Sequence, residues 1–171
     1  MPTLHLLRHA KSSRGDPGLP DFDRPLSDRG LRDAAAIAAC LPKAGLMPDR
    51  VLCSSARRTV DTLAAIRAGL PERLEVETTG DLYEVGATAL LDRLRRIPGD
   101  VGELLVVGHN PGMEDLATRL AGTGSDLAAI RALARKYPSG ALATLEFDGE
   151  WRTLSPGDAR LTRFITPKDL V

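Results

Sequence analysis

The chain has 171 residues, 43% hydrophobic and 27% charged, enough for one domain over residues 1–171 with one ample core. Its 23 basic and 23 acidic side chains cancel, which offers no support for a nucleic-acid or membrane-surface partner, although a balanced total leaves room for a local basic pocket. No apolar run approaches the ~18 residues of a bilayer span, and no basic stretch with a long apolar core opens the chain, so the expected compartment is the cytoplasm.

The chain opens on a short apolar run, Leu4-His5-Leu6-Leu7, that ends on Arg8-His9-Ala10. Such a run predicts a strand buried in the middle of a sheet, with Arg8 and His9 emerging at its C-terminal edge, where open α/β folds place their ligand sites. His5 shares a face with His9 by parity and reads as a core histidine. Residues 11–25 carry Gly15, Pro17, Gly18, Pro20 and Pro25, which predicts a long loop walling that edge. Ser27 reads as the N-cap of a helix whose apolar stripe runs through Leu31, Ala34, Ile37 and Leu41, with Pro42 and Gly45 closing it. Gly30, in the first turn, weakens that helix for no reason the helix itself supplies.

A second strand over residues 49–54 leads into a helix with Arg57 and Arg58 in its first turn. That is the wrong end for cations by the dipole argument and the right end for capturing an anion. Cys40 and Cys53, both among apolar neighbours and without metal-ligand spacing, read as small buried hydrophobes in a reducing compartment. A more exposed third strand covers residues 74–78. The loop 81–86, with Tyr83 and Glu84, enters a helix over residues 87–97. Residues 103–109 form the most apolar strand, and it again ends on a histidine, His109. Asn110-Pro111-Gly112 turns into a further helix, a weaker one is predicted over residues 126–135, and a late strand covers residues 141–147. Asp148-Gly149 predicts a hairpin into a strand at residues 151–154. The alternation predicts an α/β three-layer sandwich, with a mostly parallel central sheet, an antiparallel edge and helices on both faces.

If the strands are parallel, His9, His109, Arg8 and the Arg57-Arg58 pair meet at one sheet edge. Arginine forks hold phosphate bidentately, and a neutral imidazole between them can attack phosphorus in line. Flanking cations stabilise the charge on the transferring group. A zinc site of His9 and His109 with Asp21 or Asp23 is the rival; Arg8 beside His9 opposes it, and no HExxH or CxxC spacing exists. A serine-hydrolase elbow and a phosphate-binding P-loop are also absent.

Leu7-Arg8-His9-Ala10 resembles the Arg-His-Gly signature of the histidine phosphatase superfamily, the phosphoglycerate mutase-like fold. The run from Ser54 to Thr62 resembles its second motif, aligned so that the motif arginine falls on Arg58 and not Arg57. Residues 107–112 resemble its third, and Asp23-Arg24-Pro25-Leu26-Ser27 its Arg-Pro-Leu-Thr segment. Order, spacing and length point to the SixA-type phosphohistidine phosphatases. Ala10 stands where the signature has glycine. The resemblance implies that His9 is the nucleophile, phosphorylated in a covalent intermediate, that Arg8 and Arg58 clamp the phosphate, and that His109 completes the pocket. It implies no metal or cofactor. Glu84 falls where larger members carry a proton donor, and Lys11 and Ser12 are candidate substrate contacts. The expected activity is a metal-independent phosphatase acting on phosphohistidine in a protein, in signal transduction. The alternatives are a phosphatase of small phosphorylated metabolites and a non-catalytic phosphate- or phosphoprotein-binding module.

Overall fold

The computed structural model describes residues 1–170. Among these residues one sheet is built from β1 (Thr3–Arg8), β2 (Arg50–Ser54), β3 (Glu75–Thr79), β4 (Glu103–Gly108), β5 (Leu142–Phe147) and β6 (Ala159–Ile165), in the order β3-β2-β4-β1-β5-β6. The pairs β1–β4, β2–β4 and β2–β3 are parallel, and β1–β5 and β5–β6 are antiparallel. This is the expected α/β sandwich, with its antiparallel strands gathered at one edge.

Helices α1 (Asp28–Lys43) and α2 (Arg57–Ile66) cover one face, and α3 (Ala87–Leu94), α4 (Gly112–Leu120) and α5 (Leu127–Arg135) cover the other. The strands explain why both faces need cover. In β1, Leu4 and Leu6 pack toward Leu90, Leu116 and Leu133, while Leu7 packs toward Ala34, Ile37 and Ile66. In β4, Leu104 and Val106 point one way and Leu105 and Val107 the other. A strand apolar on both faces is stable only between two helical layers.

Ser27 caps α1 as its sequence predicts, its Oγ accepting from the Gly30 N–H at 3.0 Å. Pro42, however, does not close the helix; it lies inside the last turn, which runs on to Lys43. Near a C-terminus the missing N–H removes one bond only, and the buried Leu41 holds the turn in place. A second expectation fails at residues 151–154. Gly149 does turn the chain, with φ +94°, but Trp151–Thr153 forms a short 3-10 turn and the strand that pairs with β5 is Ala159–Ile165. Trp151 and Leu154 are both buried, a three-residue spacing that fits a 3-10 turn and not an alternating strand, and the Trp151 indole N–H donates to the Val101 carbonyl at 2.7 Å. No helix among the described residues is long and apolar enough to cross a membrane.

Candidate active site

The site lies at the C-terminal ends of β2, β4 and β1, three neighbours in the sheet. Register alone does much of the placing. Arg8 pairs with Gly108, so the next residues, His9 and His109, leave the sheet side by side. The His9 N–H donates to the Gly108 carbonyl at 3.0 Å, and the two imidazole centroids are 5.3 Å apart. β2 ends alongside at Ser54, whose Oγ lies 2.8 Å from His109 Nε2, and α2 then delivers Arg58. The resulting pocket, of about 190 Å³, is lined by Arg8, His9, Lys11, Ser12, Arg58, Glu84 and His109, and also by Arg14, Arg24, Asn110 and Ser139. The seven residues that the resemblance names for the site therefore line one pocket. Arg57, the neighbour of Arg58, turns outward to Asp61.

His9 is held in one orientation. Its Nδ1 lies 2.7 Å from the Ala10 carbonyl, which can only accept, so Nδ1 carries the proton and Nε2 keeps its lone pair. The Ala10 N–H in turn donates to Thr62 Oγ1 at 3.0 Å, and that hydroxyl donates to the Arg58 carbonyl at 2.7 Å. Thr62, one turn along α2 from Arg58, thus ties the loop behind His9 to the helix that carries the arginine.

Burial pushes His9 down to about 4, helped by the charges of Arg58, Arg8 and Arg24 and opposed by its bond to the Ala10 carbonyl. His109 is pushed down to about 3, again by burial first, then by His9 and Arg58. Both imidazoles are neutral near pH 7. Burial also lowers Arg8 from its ordinary value, against the pull of Glu114; a guanidinium keeps its charge in proteins.

Of the four buried side-chain polar atoms without a hydrogen-bond partner among the described residues, three belong to this pocket: Arg8 Nε, Arg58 Nε and His109 Nδ1. Buried polar atoms are rarely left alone unless a ligand or water completes them.

The loop 11–25 walls the site as expected, and its base is clasped. Ser12 bridges to Leu26, the Ser13 N–H donates to the Pro25 carbonyl at 2.8 Å, and the Ser27 N–H donates to the Lys11 carbonyl at 2.9 Å. At its tip Asp21 takes two bonds from Arg58: Nη1 to the main-chain carbonyl at 2.9 Å and Nη2 to the carboxylate at 3.1 Å. Tyr83 donates to the same carboxylate at 2.5 Å, stacks edge-on against His109 and faces Phe22 of the loop. The Tyr83 bond, then Arg58 and Arg24, hold the Asp21 carboxyl below its ordinary range against the opposing pull of desolvation. Asp21, which a zinc site would have turned toward the histidines, is committed to these partners.

Glu84 is exposed at the pocket rim with φ +53°, a left-handed backbone uncommon outside glycine. Its loop is pressed against α4 because Gly112 has no Cβ: one there would collide with the Val85 carbonyl.

Several site residues escape a reading of strand ends. Tyr137 and Ser139 precede β5, an antiparallel strand that brings its beginning, not its end, to this edge. Arg8 Nη1 donates to the Tyr137 carbonyl at 2.9 Å, and the Gly140 N–H bonds back to the Arg8 and His9 carbonyls. Asn110 follows His109 directly and donates to the same Tyr137 carbonyl at 3.2 Å. His5, expected in the core, is buried at the other end of β1 between Thr144 Oγ1 and Glu103 Oε1, at 2.9 and 2.7 Å.

Comparison with known proteins agrees with this layout. The family model described as histidine phosphatase superfamily (branch 1) matches residues 4–93, more than half of the chain. The chain belongs to the histidine phosphatase superfamily. The structure of a candidate phosphohistidine phosphatase SixA from Nakamurella multipartitia is similar at 31% identity and TM-score 0.83, covering 97% of this chain and 96% of that one. A second candidate SixA, from Agrobacterium tumefaciens, is similar at 29% identity and TM-score 0.79, covering 97% and 99%. The uncharacterized protein Rv1276c of Mycobacterium tuberculosis is 36% identical over 163 residues, covering 95% of this chain and all of the relative. Within the superfamily this chain sits in the SixA branch, and it is a histidine-phosphatase-type phosphatase. His109 lies beyond the span of the family model, and the structural likeness, which covers nearly the whole chain, takes it in.

Proposed function

We propose that this phosphatase removes the phosphoryl group from phosphohistidine in a protein, through a covalent phosphohistidine on His9. The observation that carries the reading is the state of His9: neutral, with Nδ1 bound to the Ala10 carbonyl and Nε2 free, among Arg8, Arg58 and His109. The Nε2 lone pair forms a bond to phosphorus as the bond to the leaving nitrogen breaks. The phosphoryl oxygens meet Arg8, Arg58 and His109, whose unpartnered nitrogens supply donors for the charge that develops there. The departing imidazole takes a proton from water or from Glu84. Water then attacks the phosphoenzyme, its proton passes to solvent, inorganic phosphate leaves, and the electron pair returns to Nε2. Lys11 and Ser12 contact the bound group from the loop side.

A second reading, a phosphatase of small phosphoesters, is favoured by one feature. Glu84, held at the rim in a strained backbone, is a carboxyl able to protonate an ester oxygen, a harder leaving group than an imidazole nitrogen. Turnover of a phosphohistidine-bearing protein and of p-nitrophenyl phosphate, measured side by side, separates the two. The first reading expects fast release from phosphohistidine, slow release from the ester, and neither from His9→Ala. It expects Glu84→Gln to slow the ester more than the phosphoramidate. A preference for the ester, lost with Glu84→Gln, would favour the second, and full activity of His9→Ala would remove the nucleophile.

A further inference from the structure

Beside the phosphate pocket runs a larger groove of about 790 Å³, which shares Arg8, Lys11 and Ser139 with it. The pocket is smaller than the ~300 Å³ at which cavities begin to hold whole small ligands, so it fits a phosphoryl group; the groove is of a size for what lies beyond. Six cations line the groove: Arg8, Lys11, Arg29, Arg135, Lys136 and Lys168. Only two carboxylates do, Asp33 and Asp169, in a chain whose charges balance as a whole. Both are already occupied. Asp33 faces Arg29 at 3.8 Å, and Asp169 accepts from the Thr166 N–H at 2.8 Å and its hydroxyl at 3.1 Å. Lys11, Arg135, Lys136 and Lys168 are exposed and have no carboxylate partner among the described residues.

We infer that this groove seats acidic side chains flanking the phosphorylated residue of a protein substrate. The inference rests on the phosphoprotein reading above and adds how the substrate is chosen. Charge complementarity gives the sign of the partner, and continuity through Arg8 and Lys11 gives its place next to the phosphoryl group. The arrangement of the cations argues for a protein surface over a small polyanion. They come from separate segments: the β1 end, the first turn of α1, the end of α5 and the short 3-10 turn Pro167–Leu170. They stand around a broad trough on long, hydrated stems, a layout suited to carboxylates at a wet rim, whereas a compact polyanion calls for convergent, buried donors.

The test uses synthetic phosphohistidine peptides with glutamates or glutamines around the phosphohistidine, and p-nitrophenyl phosphate as a probe too short to reach the groove. The variant Lys136→Glu/Lys168→Glu leaves the pocket residues untouched, and Lys136→Gln/Lys168→Gln guards against damage from charge reversal. Wild type is expected to favour the glutamate peptide by roughly tenfold in KM with kcat little changed. That preference should shrink as salt rises and vanish in both variants, with p-nitrophenyl phosphate turnover held within about twofold. Absence of the preference in wild type, its survival in both variants, or an equal loss with p-nitrophenyl phosphate would each overturn the inference. So would inhibition by tripolyphosphate that the variants relieve while the peptides stay indistinguishable, since the groove would then hold a small polyanion. If wild type cleaves p-nitrophenyl phosphate and no phosphohistidine peptide, the parent reading fails. The groove is then judged by fluorescence anisotropy of an unphosphorylated glutamate-rich peptide. Binding lost in the variants sustains it, and no binding ends it.

Discussion

Two arginines adjacent in sequence meet opposite fates at the start of α2. Arg58 is 5% exposed and lines the pocket of His9 and His109, while the side chain of Arg57 is 55% exposed and faces Asp61 one turn along the helix. Arg58→Ala is expected to lower kcat/KM for p-nitrophenyl phosphate by roughly 100-fold or more, the scale on which losing one preorganised donor slows a reaction. Arg57→Ala should change it by no more than about twofold, because an exposed ion pair contributes little. Steady-state kinetics on the two variants reads the difference, and equal losses would mean that both guanidiniums serve the reaction. The histidines make a prediction of another kind. An isolated imidazole titrates near 6.5, but His9 and His109 are pushed down to about 4 and 3. In phosphate-free protein, the ¹⁵N resonances of both rings should stay those of neutral imidazole from pH 8 down to about 5. A midpoint near 6.5 for either ring would show that burial and the arginine charges act more weakly than the geometry implies.

At the scale of elements, the site depends on contacts between the loop 11–25 and the two helices α1 and α2. Gly30 breaks the local preference of α1 because the Lys11 carbonyl lies where its Cβ would be. Ordinary helix propensity expects Gly30→Ala to stabilise by about 1 kcal/mol. The collision with a backbone atom expects the opposite, a loss of roughly 1–3 kcal/mol. The second effect should win, since a carbonyl that already accepts from Ser27 cannot move aside without breaking the loop's clasp; chemical denaturation measures the sign. Thr62→Val keeps the volume and removes the acceptor for the Ala10 N–H. A buried donor left alone costs about 1–3 kcal/mol, and kcat should fall as well, because Ala10 is the residue that orients His9. A stability loss with unchanged kcat would show that Thr62 only holds the fold.

Across the whole molecule, the two depressed histidines set a pH dependence of stability. Between about pH 6.5 and 4 the unfolded chain binds protons at His9 and His109 that the folded chain refuses, so stability is complete above about 6.5 and falls as the medium is acidified. The melting temperature in phosphate-free buffer should therefore be lower at pH 5 than at pH 7, and His109→Gln should flatten that slope. An unchanged slope in the variant would mean that other groups carry it. Phosphate bound between the arginines would favour protonated imidazole and oppose the effect, so the same pair of melts in phosphate should lie closer together.

Much of this layout could be read from the amino-acid sequence, because it depends on local pattern. Apolar runs ending in Arg8-His9 and His109 mark buried parallel strands whose ends share an edge, and Ser27 marks the start of α1 through its own hydroxyl. Arg8, His9, His109 and the Arg57-Arg58 pair are legible for the same reason, at or just past predicted strand ends; the choice of Arg58 over Arg57, and Glu84, Lys11 and Ser12, rest instead on the motif resemblance to the histidine phosphatase superfamily. Other features depend on contacts between residues far apart in the chain, and only the tertiary structure decided them. Trp151 looked like the first residue of a strand until the Val101 carbonyl claimed its indole, and β6 formed later in the chain in its place. Tyr137 and Ser139 reach the site because β5 runs antiparallel, a direction that alternating apolar residues do not record. The concentration of cations in the groove is likewise a product of folding, since Lys11, Arg29, Lys136 and Lys168 are scattered along a chain with no net charge and line one groove only when the chain folds.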